Sequence, residues 1–371
     1  MGNCKVFLYH FISAGEESKW RKVLLGPLYL LSLLYGWIVS LRVQFYSWSI
    51  FRIHSLPCKV VSVGNITLGG TGKTPFVCLL AGLLKSRGLR VAILSRGYSG
   101  DLQGDLGVVT NGQKILMSPQ QAGDEPYLLA EKLQGVPIIV GRNRYRSGRF
   151  AVEHFQSEVL ILDDGFQHIA LRRDVNFLLL DASSPFGNGN LLPRGVLREP
   201  VSQLLRADAI ILTKIGMSGN ISDSKRISLK LVHPGPFFQM DYEPCAVRAY
   251  GQKEVLPLEH LKGKKVLAFS GVARPESFQH TLRQLDLHIS AIEIFPDHHW
   301  YGPKDWERLL TRARGMGVDG FITTEKDLVR IKNLQPSPLP LWAVSIRHFF
   351  PGGDQSQFEN FLFSRMGGSN E

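Results

Sequence analysis

The run Val60-Val61-Ser62-Val63-Gly64-Asn65-Ile66-Thr67-Leu68-Gly69-Gly70-Thr71-Gly72-Lys73-Thr74-Pro75 constrains this chain more than any other stretch. Val60 to Val63 read as a buried strand. Glycines follow, and then Phe76, Leu79, Leu80, Leu83 and Leu84 fall at helical spacing until Gly88 closes the pattern. A strand that turns through glycines into a helix aims successive backbone N–H groups, and the positive end of the helix dipole, at one spot. Such a spot binds phosphate.

Each residue type in the turn has a task. Gly69, Gly70, Thr71 and Gly72 supply the backbone cradle, the glycines allowing close approach that a Cβ would block. Lys73 can reach the β- and γ-phosphates of a nucleotide, and the Thr74 hydroxyl can bind Mg²⁺. Pro75 suits a first helical turn, where its missing N–H is not needed. The first glycine of the pattern G-x-x-x-x-G-K-S/T is here Thr67, so the loop is a variant P-loop.

Short apolar runs separated by helical patterns follow: Val91 to Leu94, Val136 to Val140, Val159 to Leu162, Phe177 to Leu180 and Ala209 to Leu212. That alternation predicts an α/β fold of the P-loop NTPase type, a mostly parallel sheet flanked by helices with ligands at the carboxyl ends of its strands. A second, smaller α/β unit follows, with runs at Lys265 to Phe269, Ile289 to Ile294 and Gly317 to Ile322. The divisions expected are an N-terminal membrane-associated segment, 1–52, a P-loop unit, 53–230, a strand-like linker, 231–260, and the second unit, 261–371.

The polar clusters at strand ends carry the chemistry. Val159 to Leu162 delivers Asp163-Asp164-Gly165-Phe166-Gln167-His168, and a strand-end carboxylate is the usual partner of a P-loop because it holds Mg²⁺. Adjacent side chains point apart, so one of Asp163 and Asp164 faces the metal. Asp124, opening the helix after Gly123, is either an N-cap or a carboxylate placed to accept a proton. Arg142, Arg144, Arg146 and Arg149 form either a solvated basic face or a phosphate-recognition loop. Glu199 is a candidate second carboxylate near the metal. His298 and His299 read equally as surface histidines, and Thr324 with Asp327 as a capping box.

Composition narrows the class. The chain has 371 residues, 44% of them hydrophobic, and a formal charge of +11, which points to an anionic partner. Cys4, Cys58, Cys78 and Cys245 are scattered, so neither a disulfide nor a zinc site is expected. Val23 to Leu41 carries no charge and is flanked by Arg21, Lys22, Arg42 and Arg52. Nineteen such residues sit near the minimum for spanning a bilayer. Our reading is a helix lying in or dipping into one leaflet. Met1-Gly2 is not a myristoylation site, because Val6 occupies the Ser/Thr position.

Taken together and in this order, Gly69 to Pro75, Gly123-Asp124-Glu125-Pro126, Leu162 to His168, Leu197-Arg198-Glu199-Pro200, Phe295-Pro296-Asp297-His298 and Thr324-Glu325-Lys326-Asp327 resemble the tetraacyldisaccharide 4'-kinases, the lipid A 4'-kinases of Gram-negative bacteria. The resemblance spans nearly the whole chain. It implies a Mg²⁺-dependent enzyme at the cytoplasmic face of the inner membrane that moves the γ-phosphate of ATP to the 4'-hydroxyl of a tetraacylated glucosamine disaccharide 1-phosphate. It further implies that Asp124 is the general base, that His298 works with it, that Lys73 clamps phosphate, and that Thr74, one of Asp163 and Asp164, and Glu199 form the metal site. The site would then lie between the two units. The basic excess turns toward a phosphorylated lipid and a membrane surface, not nucleic acid.

The competing class is a membrane-associated ATPase switch of the deviant-Walker type. Those proteins carry a lysine directly ahead of Gly-Gly, where this chain has Leu68. A GTP-dependent metal-insertion chaperone would need an Asp where Ile211-Leu212-Thr213-Lys214-Ile215-Gly216 places Gly216, which favours ATP.

Overall fold

A computed structural model describes residues 25–98, 100–218, 232–252, 254–331 and 338–367. Met1-Gly2, Arg21, Lys22, Val23 and Leu231 lie outside them. The strands are β1 (Lys59–Gly64), β2 (Val91–Ser95), β3 (Leu106–Asn111), β4 (Pro137–Gly141), β5 (Val159–Asp163), β6 (Val175–Asp181), β7 (Ala209–Thr213), β8 (Phe237–Ala249), β9 (Val255–Leu256), β10 (Lys265–Ser270), β11 (His288–Ile294), β12 (Gly320–Thr324) and β13 (Leu341–Phe349). They form one sheet in the order β11-β10-β12-β13-β8-β7-β6-β1-β5-β2-β4-β3, with β9 on β8. The principal helices are α1 (Gly26–Ser47), α2 (Lys73–Ser86), α3 (Asp124–Lys132), α4 (Arg144–Phe155), α5 (Pro275–Arg283), α6 (Pro303–Met316), α7 (Glu325–Ile331) and α8 (Asp354–Arg365).

The apolar runs of β1, β2, β5, β6 and β7 are buried along nearly their whole length, as strands of a parallel sheet covered on both faces are, whereas β8 alternates and β11 has no buried residue. β1 lies between β5 and β6, parallel to both, with Val63 beside Asp163. From β1 the chain goes to β2 on the β5 side, and after β5 it crosses β1 to β6, so the strand order reverses at β1, and the crevice at such a switch point is where α/β sheets bind ligands. β3 is an antiparallel edge that the apolar runs did not signal.

The segment read as a linker contains β8. Its first part, Phe237 to Met240, pairs in parallel with β7, and the remainder, Asp241 to Ala249, pairs antiparallel with β13. One strand therefore carries the hydrogen-bonded sheet from the first half (β1 to β7) into the second (β10 to β13), which fixes the halves edge to edge. The end of the chain then crosses back. Phe358 and Leu362 of α8, with Phe350 just before it, join the core formed by Val61, Phe76, Leu80 and Phe177. Phe358 is fully buried, with its ring 4.7 Å from Phe350, 5.3 Å from Phe177 and 5.7 Å from Phe76.

α1 is long and apolar enough to cross a membrane, and most of its window is not buried inside the protein. Leu30, Leu34, Trp37 and Ile38 face outward. One narrow face docks on the loop before β7: Ser32 Oγ donates to Leu191 O at 2.9 Å and accepts from Arg194 N at 3.0 Å. Tyr35 Oη donates to Arg198 O at 2.9 Å. Gly36 allows the close approach there, since a Cβ would meet Leu191 Cδ1 at 2.5 Å and push that side chain aside.

Because the Phe358 ring of α8 is fully buried in the first-half core, Phe358→Ala is expected to destabilise the protein by about 3–5 kcal/mol. Urea unfolding with the variant beside the native chain measures it; coincident midpoints would show that α8 adds nothing to that core.

Candidate active site

The phosphate loop is held by the strand ends around it. Gly69 and Gly72 have φ of 106° and 83°, the left-handed region that glycine tolerates. Asn65 Nδ2 donates to Thr67 O at 2.7 Å, and its Oδ1 accepts from Lys73 Nζ at 3.2 Å. From the end of β7, Thr213 Oγ1 donates to Thr71 O at 3.0 Å and Lys214 Nζ to Gly70 O at 2.7 Å. These carbonyls point away into the protein, so the loop's N–H groups are left for a ligand. Thr74 sits in the first turn of α2, as its place after Lys73 requires. The loop Asn190 to Arg198 zips onto the same strand through Leu68 N to Val196 O, 2.7 Å, and Arg198 N to Ile66 O, 2.7 Å.

Three acids converge near Lys73. Asp163, the last residue of β5, is buried; Ser95 Oγ donates to its Oδ2 at 3.0 Å, while its Oδ1 has no hydrogen-bond partner. Burial, then the charges of Glu125 and Asp164, push its carboxyl up to about 7 against the pull of Lys73. A buried carboxylate oxygen without a donor suits a hard, oxygen-seeking cation, and Mg²⁺ fits there. Among the described residues no group of three or more His, Cys, Asp or Glu side chains forms a metal site.

Asp164 faces elsewhere. Its backbone is left-handed, φ 54°, and its carboxylate is bridged by Arg198 Nη1 at 2.9 and 3.2 Å and by Lys73 Nζ at 3.5 Å. Burial pushes its carboxyl up, but Lys73 and Arg198 outweigh it and hold it below the usual range. Glu199 is buried and paired with Arg206, whose guanidinium lies 4.4 Å from the centre of the Phe166 ring. Burial still keeps its carboxyl above the ordinary range. Of the acids proposed for the metal, Asp163 alone has a buried oxygen without a partner.

The second cluster crosses from one half of the sheet to the other. Gly123, φ 88°, precedes α3 where a Cβ would meet Tyr98 O at 2.5 Å, so the chain can present Asp124 at the helix start only through a glycine. Gly123, not Asp124, takes the N-cap position. Asp124 is 1% exposed; His298 Nδ1 lies 2.9 Å from its Oδ2, and Arg330 binds the same oxygen through Nε at 2.7 Å and through Nη2. His298 comes from the loop after β11 with φ 58°, a backbone strained for a non-glycine residue and of the sort that clusters at functional sites. Beside this pair, Lys326 Nζ meets Glu125 at 2.5 Å and Lys132 meets Glu325 at 2.5 Å. Burial would raise the Glu125 carboxyl, but Lys326 and then Lys73 hold it low, which ties the start of α3 to the phosphate loop electrostatically.

The motif reading missed the partners. Arg330 lies one helical turn beyond Asp327, and Arg198 adjoins Glu199. Asp181 ends β6 as Asp163 ends β5, so the same strand-end argument reaches it. Its carboxylate binds Lys214 Nζ at 2.9 Å and, from the second half, Arg274 Nη1 at 2.7 Å. The arginine run divides: Arg144 is buried against Gly141 O and Asp163 O, while Arg146 and Arg149 form exposed pairs with Asp105 and Glu153. His299 bonds Asp305 at 2.8 Å.

A family model for tetraacyldisaccharide-1-P 4'-kinase matches residues 24–367. The tetraacyldisaccharide 4'-kinase of Syntrophus aciditrophicus is 40% identical over 343 residues, 90% of this chain and 91% of that one. Its counterpart from Desulfatibacillum aliphaticivorans is 42% identical over 346 residues, 91% of each. The crystal structure of LpxK from Aquifex aeolicus in complex with ATP is 32% identical, covers 93% of this chain and 99% of its own, and superposes with a TM-score of 0.74. By motif order, fold and these matches, the chain belongs to the tetraacyldisaccharide-1-P 4'-kinase family.

Proposed function

We propose that this chain transfers the γ-phosphate of ATP to the 4'-hydroxyl of a tetraacylated glucosamine disaccharide 1-phosphate, at the seam between the two halves of the sheet. One observation carries the placement: a carboxylate and an imidazole, Asp124 and His298, meet at 2.9 Å beside a phosphate loop although 174 residues separate them. A nucleotide site needs no such pair. An acceptor hydroxyl does, because its proton has to leave as its oxygen attacks phosphorus.

The roles follow from position. The loop Gly69 to Gly72 offers N–H groups to the β- and γ-phosphates, and Lys73, with Asn65 behind it, adds a fixed cation. Asp163 and Thr74 would hold Mg²⁺, which when bound draws charge from the β- and γ-phosphate oxygens. Asp164 fixes Lys73 and Arg198 at the same phosphates. Glu199, already neutralised by Arg206, supports the Asn190 to Arg198 loop in this reading. The Asp124–His298 pair takes the proton from the 4'-hydroxyl. The outward apolar face of α1, with Arg42 and Arg52 at its far end, lies against the cytoplasmic leaflet and brings an acylated acceptor to the seam.

Transfer of labelled phosphate from ATP to a lipid disaccharide 1-phosphate tests the reading. Asp124→Ala and His298→Ala are each expected to lower kcat about 10²–10⁴-fold; undiminished transfer in both removes the pair, and ATP hydrolysis without lipid product would favour a switch ATPase. Chelating Mg²⁺ is expected to abolish transfer, and readdition to restore it. Leu34→Glu with Trp37→Glu is expected to release the protein from anionic phospholipid vesicles in co-sedimentation while sparing transfer to detergent-dispersed acceptor. Retention on the vesicles would refute the leaflet placement of α1.

A further inference from the structure

We infer that Arg274 is a positioning residue for the nucleotide: from the second half it fixes Asp181, Asp181 fixes Lys214, and Lys214 holds the Gly70 peptide so that the loop's N–H groups face phosphate. The inference rests on the kinase reading and gives the second half a task beside that of His298.

The relay ends on a peptide plane. Lys214 Nζ donates to Gly70 O at 2.7 Å. A trans peptide is planar, so its C=O and N–H point in opposite directions. With the Gly70 carbonyl drawn inward, the Thr71 N–H of the same plane points out, to the side where a phosphate would lie. Thr213 Oγ1 anchors the next plane, donating to Thr71 O at 3.0 Å. The two anchors rest on different supports. Thr213 is the last residue of β7, and its hydroxyl also reaches Leu180 O at 3.3 Å, so the sheet holds it. Lys214 lies just beyond the strand with φ 62°, left-handed backbone for a non-glycine residue. Its four-carbon stem is flexible, so the place of its ammonium is set by what binds it.

Asp181 supplies the anion. It ends β6 and is 1% exposed, and its Oδ1 accepts the Ser183 N–H at 3.0 Å and the Ser183 hydroxyl. Its Oδ2 takes Lys214 Nζ at 2.9 Å and Arg274 Nη1 at 2.7 Å. Burial would raise this carboxyl, but Lys214 and Arg274 hold it below the usual range. Two cations on one oxygen share its attraction, and Lys214 keeps a proton for Gly70 O. Without the guanidinium, the carboxylate draws the ammonium toward itself, and the neutral Gly70 carbonyl is the weaker competitor.

Arg274 comes from a loop already committed to the seam. Ser270 ends β10, and Gly271-Val272-Ala273-Arg274 leads into Pro275, the first residue of α5. At the start of that loop Gly271 N donates to Asp327 Oδ1 at 3.0 Å, and Gly271 O accepts from Arg330 Nη1 at 2.6 Å. A Cβ at Gly271 would meet Pro296 O at 3.0 Å and His299 Cβ at 3.3 Å, the residues that flank Asp297 and His298. Arg330 in turn binds Asp124 through Nε at 2.7 Å. Four consecutive residues thus join the Asp124–His298 pair to the Asp181–Lys214 pair. A nucleotide cradle by itself does not call for an arginine from the other half of the sheet, 93 residues from the acid it binds. A loop that must stay in register with an acceptor site does.

Calorimetric titration of ATP with Mg²⁺ into the full-length protein, without acceptor, reads the relay. The Arg274 side chain is 25% exposed, so a glutamine in its place can be solvated. Arg274→Gln is expected to weaken ATP binding about tenfold, and in the transfer assay to raise KM for ATP more than it lowers kcat. Arg274→Lys, which returns the cation without the fork, is expected to recover part of the loss. Unchanged ATP affinity in Arg274→Gln overturns the inference, and so does a loss confined to kcat, since the residue would then serve the acceptor. In an Asp181→Asn background the relay is already cut, and Arg274→Gln is expected to cost little further; losses that simply add show Arg274 acting by another route and overturn it. Lys214→Gln serves as a second background, so that a failure of Asp181→Asn to fold leaves the cycle measurable. A native chain that binds ATP in the titration yet transfers nothing overturns the kinase reading beneath the inference, an outcome distinct from a transferring enzyme whose ATP affinity ignores Arg274.

Discussion

A carboxylate taken out of water has to be met by cations that are buried with it, and the cations of Asp124 stand on the other half of the sheet. That constraint organises the seam. Asp124, Glu125 and Lys132 of α3 face Arg330, Lys326 and Glu325 of α7, each charge opposed by its complement. Pairs of this kind add little net stability, since desolvation offsets most of the attraction, but leaving one member unpaired is strongly unfavourable. The halves are therefore held in a particular register rather than merely in contact. β8 supplies the covalent and hydrogen-bonded counterpart by running through both ladders.

What the sequence made legible follows from how local each signal is. The phosphate loop, the β5 carboxylates and the strand-end loops announce themselves because strand, turn and helix chemistry lie within a few consecutive residues. The pairing of Asp124 with His298 was reachable only through resemblance, since nothing local to Gly123-Asp124-Glu125 names a partner 174 residues on. Arg330 escaped for a related reason: a buried arginine in a short helix has no pattern of its own, and its meaning comes from Asp327, one turn earlier, and from Asp124 on another element. Glu199 shows a different limit: a loop acid reads as a candidate metal carboxylate from its motif, and its pairing with Arg206, seven residues on, is a tertiary fact that the motif does not state.

The reading of 231–260 as a linker had the right composition and missed the pairing. Proline and polar interruptions in Phe237 to Ala249 look irregular because the strand changes partner midway, from parallel to β7 to antiparallel to β13, and its two parts answer to different neighbours. The C-terminal helix was likewise invisible as a member of the first core. Phe350, Phe358 and Leu362 belong by sequence to the second half and by packing to the first. Register and crossing are tertiary facts, and a hydrophobic pattern states only that a face will be covered.

The same geometry links the outer surface to the phosphates. α1 is fastened by Ser32, Tyr35 and Gly36 to the Asn190 to Arg198 loop, and that loop pairs with Ile66 and Leu68 and sends Arg198 to Asp164. On the far side, Arg274 of the second half reaches Asp181, which holds Lys214, which holds Gly70 O. The phosphate loop is thus braced from one side by the helix that exposes apolar residues and from the other by the half that carries His298. A chain that must bring an acylated sugar and a nucleotide to one point gains from this arrangement, because both substrates are then registered against a single loop. In the proposed reading, the Asp124–His298 pair at the seam and Lys73 at the phosphate loop are then joined through one continuous set of hydrogen bonds and ion pairs.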